Sequence, residues 1–182
     1  ENIIIEMNEK ISFWNMTKAF LFNTAEIVPE TKLPEVKPPN IKEFMKSTEG
    51  IKFIWFGHST LLVNINNTII LIDPIFSNTA SPVSFLVKRF QPPVLKLRDL
   101  PKIDYVLISH DHYDHLDMDT IVFFKEKNVK FITPLGVTSH LKSWGINESK
   151  LFETDWWGKF DFEGITFICT PAQHFSGRLG TI

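Results

Sequence analysis

A chain of 182 residues with 43% hydrophobic content and a formal net charge of -2 has the size and balance of one globular domain. Its 19 Lys and Arg residues are scattered and nearly matched by 21 Asp and Glu, which argues against nucleic acid as a partner. The single cysteine, Cys169, excludes an intrachain disulfide and a thiolate zinc cluster, so any metal must be held by His and carboxylate.

The start, Glu1-Asn2-Ile3-Ile4-Ile5 followed by Glu6 and Glu9, lacks the basic and apolar blocks of a signal peptide, so a cytoplasmic location is expected. No apolar run approaches the ~20 residues that cross a bilayer, although contact with a membrane surface stays open. Phe13, Met16 and Phe20 recur at helical spacing, predicting a short amphipathic helix over residues 11–23. Four prolines between Pro29 and Pro39 predict an extended connector, so residues 1–50 read as helix plus connector and residues 51–182 as the domain proper.

The apolar and β-branched runs Ile51–Phe56, Leu61–Ile65 and Thr68–Ile72 predict a β-meander, with Asn66-Asn67 supplying the positive φ of a tight turn. Asp73-Pro74 takes the chain out of the sheet, and residues 77–101 read as a long surface excursion. Tyr105–Ser109 is a short strand. A helix over Met118–Lys127, a strand at Lys130–Thr133, a helix over Val137–Trp144 capped by Gly145, and a strand at Ile165–Cys169 come after it. The class is α/β with mixed sheets.

Chemistry concentrates where the Tyr105–Ser109 strand ends. His110, His112, Asp114 and His115 fall within six residues of a turn, and six histidines in the whole chain make such crowding unexpected for an ordinary polar loop. Zinc favours imidazole nitrogen and carboxylate oxygen and, in a catalytic site, keeps one position open. His110 and His112 can share one ion while Asp114 and His115 face a neighbouring one, with two metals ~3.5–4 Å apart able to clamp a hydroxide. His174 comes after a strand and Thr170-Pro171, placing a third imidazole where it can complete the first site.

The run His110-Asp111-His112-Tyr113-Asp114-His115 matches the His-x-His-x-Asp-His pattern of the metallo-β-lactamase superfamily. Trp55–Val63, Asp73-Pro74-Ile75-Phe76-Ser77, Lys88-Arg89-Phe90, Asp155-Trp156-Trp157 and Thr170–Phe175 resemble the branch that contains N-acylphosphatidylethanolamine-hydrolysing phospholipase D. The likeness runs from about Ile51 to Arg178. It implies the N-terminal half of a four-layer αββα fold. It further implies His110, His112 and His174 on a first zinc, Asp114 and His115 on a second, and catalytic roles for Asp114 and His115. Asp73 is implied to hydrogen-bond the ligand loop without touching metal.

Other readings stay open at the remaining positions. His58 is read as a supporting neighbour of the ligands, with a substrate-facing or locally capped histidine as alternatives. Trp156 and Trp157 serve either packing or an acyl-chain wall, and Lys88 and Arg89 either offer charge to a phosphate or are solvated. His140, in a predicted helix, reads as structural or solvated.

The implied activity is zinc-dependent hydrolysis of a lipid or small phosphoester, in which a metal-activated water attacks a phosphodiester. A lactone or sugar-phosphate ester is the alternative substrate, and a catalytically silent metal-binding module the alternative class. Complete members of the family continue with a second half that contributes a Gly-Asp segment and a late histidine, and neither comes after His174 here. One or two zinc ions are therefore expected, with the second site weak. An apolar sheet face is expected to be either exposed or covered by a partner such as a second copy or the family's other half.

Overall fold

The computed structural model describes residues 30–31, 34, 37–46, 49–80 and 88–178. The chain divides into two units, Glu1–Leu33 and Pro34–Ile182, and all the elements described here belong to the second. The helix expected over residues 11–23 lies outside the described residues. A helix that the sequence did not announce comes first: α1, Ile41–Met45, is capped by Asn40, whose Oδ1 accepts from Glu43 N at 3.2 Å, and it buries Phe44.

Three strands form an antiparallel meander, β1 Ile51–Trp55, β2 Leu61–Ile65 and β3 Thr68–Ile72. Asn66 and Asn67 turn β2 into β3 with φ of 49° and 68°, a conformation Asn tolerates better than most side chains. Parallel strands β4 Tyr105–Leu107, β5 Lys130–Pro134 and β6 Leu151–Thr154 extend the sheet in the order β1-β2-β3-β4-β5-β6. Helix α2, Met118–Phe123, links β4 to β5, and α3, Thr138–Ser143, links β5 to β6. Gly145 ends α3 at φ 83°, where its N–H and that of Ile146 bond the carbonyls of Lys142 and Leu141.

Each sheet face has its own core. Leu62, Leu71, Val106 and Phe131 meet Ile121, Phe124 and Leu141 from the helices. On the other face Val63, Ile70, Tyr105 and Ile132 pack against Phe167. Phe167 belongs to the hairpin of β7 Lys159–Phe162 and β8 Ile165–Ile168, which covers that face. The strict alternation of Lys159-Phe160-Asp161-Phe162 and the turn at Glu163-Gly164 carried this hairpin in the sequence, yet only its second strand was expected. At the sheet edge Ile51, Phe53 and Trp55 lie opposite Ile65, Val63 and Leu61 and are 67%, 67% and 62% exposed. Among the described residues no helix is long and apolar enough to cross a membrane.

Candidate metal centre

Parallel strands end at one edge of the sheet, and the loops that leave them there carry the chemistry. The loop after β3 supplies Asp73, the loop after β4 supplies residues 109–115, and the segment after β8 supplies His174. The tight turn from β1 to β2 adds His58, closed by bonds from Phe56 N to Thr60 O at 3.0 Å and Thr60 N to Gly57 O at 3.2 Å.

Two groups of donors result. In the first, His174 Nε2 lies 3.1 Å from His110 Nε2 and 3.3 Å from His112 Nδ1, so three nitrogens from two loops converge. Tetrahedral zinc with bonds of ~2.0–2.1 Å separates its ligand nitrogens by ~3.4 Å, so this donor set fits such an ion. In the second, His58 Nε2 is 2.9 Å from Asp114 Oδ2, and His115 Nε2 is 3.9 Å from the same oxygen. The sequence proposed Asp114 and His115 for that group; the structure adds His58, carried there by a backbone at φ 47°. A non-glycine residue held at such a φ near a polar cluster is a strain commonly met at functional positions.

The outward ring nitrogens of His110 and His115 are engaged, whereas His112 Nε2 is buried without a hydrogen-bond partner. Asp73, buried and itself at φ 40°, accepts from Ser109 N at 2.7 Å, from Ser109 Oγ at 2.6 Å and from His115 Nδ1 at 2.8 Å. Ser109 Oγ is also 2.9 Å from His110 Nδ1. Protons on the Nδ1 atoms of His110 and His115 satisfy these bonds and leave both Nε2 lone pairs facing the donor groups. Burial, reinforced by the neighbouring His115, His112 and His174, lowers the pKa of His110 to about 4. At neutral pH that ring is therefore a neutral donor, the form a metal requires. His115 moves the other way: burial opposes its charge, but the hydrogen bond and charge of Asp73, with Asp114, outweigh it and raise its pKa.

Residues outside the histidine pattern hold the loops in place. Thr60 Oγ1 donates to Asp73 O at 2.7 Å and accepts from Ile75 N at 3.1 Å. Asp117 Oδ2 accepts from Phe76 N at 3.0 Å and Ser77 N at 2.9 Å, while its Oδ1 accepts from Ser77 Oγ at 2.8 Å. Each is a polar side chain buried among apolar ones, and that juxtaposition was the available sequence signal. Phe175 was missed as well; its ring lies 4.9 Å from that of His112 and is 63% exposed.

Of the residues read as substrate-facing, Arg89 donates from Nη2 to Ile75 O at 2.5 Å and from Nε to Ser77 O at 3.4 Å, so much of its guanidinium serves the loop after β3. Lys88 is exposed beside it. Trp156 and Trp157 form the turn between β6 and β7, 58% and 70% exposed, and make no hydrogen bond or ring contact with the donor residues. His140 is buried on α3 with Nε2 3.6 Å from Asp111 Oδ2, which settles its open reading as structural. A cleft of about 1350 Å³ has Phe76, Leu95, Tyr113, Met118 and Arg178 in its wall, but none of the six donor residues lines it.

The family model of the Beta-lactamase superfamily domain matches residues 68–181, more than half of the chain. An uncharacterized protein of Mycobacterium tuberculosis is 41% identical over 152 residues, covering 82% of this chain and 40% of its own length. The N-acyl-phosphatidylethanolamine-hydrolyzing phospholipase D 1 of Caenorhabditis elegans is 38% identical over 144 residues, covering 74% of this chain and 40% of the relative. The chain thus spans about 40% of the length of these relatives. Among solved structures, Igni18, a metallo hydrolase of the archaeon Ignicoccus hospitalis, superposes with a TM-score of 0.50 at 25% identity. That match covers 69% of this chain and 50% of the other. Pattern, fold and relatives agree, and the chain belongs to the beta-lactamase superfamily.

Proposed function

We propose that this chain provides the metal-binding part of a zinc-dependent hydrolase that cleaves a phosphodiester of the N-acylphosphatidylethanolamine type. The observation that carries the reading is the convergence of His110, His112 and His174 from two separate loops onto one small volume. The name of the worm relative supports the choice of substrate class.

His110 Nε2, His112 Nδ1 and His174 Nε2 would hold the first ion, and Asp114 and His115, with His58 beside them, the second. A bound divalent cation would supply a water acidified towards pKa ~7 and stabilise charge developing on phosphate oxygen. Asp73 keeps His115 oriented through the proton on Nδ1, and Ser109 relays the same carboxylate to His110. Asp114, whose Oδ2 lies 2.9 Å from His58 Nε2, would accept a proton from an attacking water or orient it through whatever part of the carboxylate the ion leaves uncommitted. Phe175 presents an apolar ring next to the imidazoles, a surface suited to an acyl chain. Trp156 and Trp157 would extend that contact, with Lys88 and the free part of Arg89 available to a phosphate. A surface of this kind also suits peripheral contact with a membrane from the cytoplasm.

The test is metal analysis joined to hydrolysis. The purified protein should bind zinc, release a phosphatidic acid from N-acylphosphatidylethanolamine vesicles, and lose both properties in His110→Ala. Turnover of a lactone or sugar-phosphate ester alone would move the assignment to that class, and bound zinc without any turnover would make the chain a silent module.

A further inference from the structure

His174 sits in a stretch after β8 that has no regular structure and is exposed, so strand pairing does not fix its approach to His110 and His112. Ser176, Gly177 and Arg178, just beyond His174, are instead tied to the ligand loop. Ser176 Oγ donates to Asp111 Oδ2, and Gly177 N donates to Asp111 Oδ1 at 3.2 Å. Arg178 Nε donates to Asp111 O at 2.9 Å and its Nη2 to Leu116 O, so one guanidinium spans both ends of the ligand loop. That guanidinium also lies 4.2 Å from the Tyr113 ring centroid. Gly177 has a steric part: a Cβ there would come within 2.4 Å of His112 Cδ2 and Nε2. Asp111 lies between His110 and His112 in the chain, and its side chain is only 10% exposed.

We infer that Asp111 is a positioning residue for the metal centre: its buried carboxylate latches Ser176 and Gly177 and thereby sets how closely His174 approaches His110 and His112. This rests on the metal-centre reading above. Asp111 touches neither donor group; it acts by joining two loops that are 65 and 66 residues apart in sequence. An anchored loop presents its imidazole without having to be ordered by the cation, so the latch contributes to affinity through preorganisation.

The experiment is zinc affinity, read in the purified protein by competition with a chromogenic chelator, for wild type, Asp111→Ala, His174→Ala and the double variant. Loss of a group that orients a ligand typically weakens metal binding about 10- to 100-fold, and Asp111→Ala is expected in that range. In the His174→Ala background the same change should cost little, since there is no third imidazole left to place. Asp111→Asn should restore most of the affinity, because its Oδ1 can accept from Gly177 N while its amide donates to Ser176 Oγ. Gly177→Ala, which leaves every donor in place but crowds His112, should weaken zinc binding and serves if Asp111→Ala does not fold. Equal losses in both backgrounds, or full affinity in Asp111→Ala and Gly177→Ala beside a loss in His174→Ala, would overturn the latch. Unchanged affinity in His174→Ala would instead remove the metal-centre reading itself.

Discussion

The Asp73 carboxylate and the His115 ring meet at 2.8 Å, Oδ2 to Nδ1, although 42 residues separate them. Asp73 is buried and serves Ser109 through two further bonds, so one side chain orients both His110 and His115. Asp73→Asn keeps the shape but turns one acceptor into a donor that faces Ser109 Oγ and His115 Nδ1. Zinc affinity is expected to fall about 10- to 100-fold. Competition titration checks it, and an unchanged affinity would show that the imidazoles hold their orientation without the carboxylate.

Thr60 supports the same aspartate from behind. It is fully buried, donates to Asp73 O and accepts from Ile75 N. Thr60→Val preserves volume and leaves both backbone groups without their partner, at a cost of about 1–3 kcal/mol. Urea denaturation should report that loss at an unaltered slope; a cost near zero would mean that the two groups find other partners.

The fold was legible where a pattern and a turn residue coincided. The β1–β3 meander needed only alternating β-branched residues and Asn66-Asn67, and the strand into His110 was evident from an apolar run ending in a polar cluster. His110, His112, Asp114 and His115 stood out because they crowd into six residues, and His174, 62 residues beyond His112, was read from its position after a strand and Thr170-Pro171. His58 was ambiguous, since its partner Asp114 is 56 residues away and only folding joins them. Strand β6 escaped because a short parallel edge strand containing Glu153 has neither alternation nor a hairpin turn; Glu153 is there to bond Gly136 N and Thr138 N. The partners of Arg89 could not be read at all, since its hydrogen bonds go to backbone carbonyls, which every sequence possesses.

Arg89 and Lys88 are neighbours with different fates. Arg89 is half-buried, and desolvation lowers its pKa although Asp117 opposes the shift, a balance fitting a cation committed to the loop after β3. Arg89→Met should destabilise the fold by about 1–3 kcal/mol, because hydrogen bonds from a charged donor are lost. Lys88→Ala, at an exposed position, should stay within about 0.5 kcal/mol. Thermal or chemical denaturation separates the two, and equal effects would contradict the structural role of Arg89.

Cys169 lies just past β8, five residues before His174, its carbonyl accepting from Trp157 N at 2.6 Å and its N–H donating to Gly158 O at 3.0 Å. Burial, and then the negative charge of Asp155, raises the pKa of its thiol. Both causes disfavour the thiolate, which is the reactive form, so the folded chain should hold less thiolate at any given pH than an unfolded one. Alkylation by iodoacetamide should therefore run slower at pH 8 than in denaturant, with its midpoint displaced to higher pH. Asp155→Asn removes one of the two causes while its side-chain oxygen can still accept from Trp156 N, so the midpoint should move partway back. A folded chain that reacts with the midpoint of the unfolded one would show that the thiol at the end of β8 is open to water, and that the segment leading to His174 is less closely packed than its hydrogen bonds require.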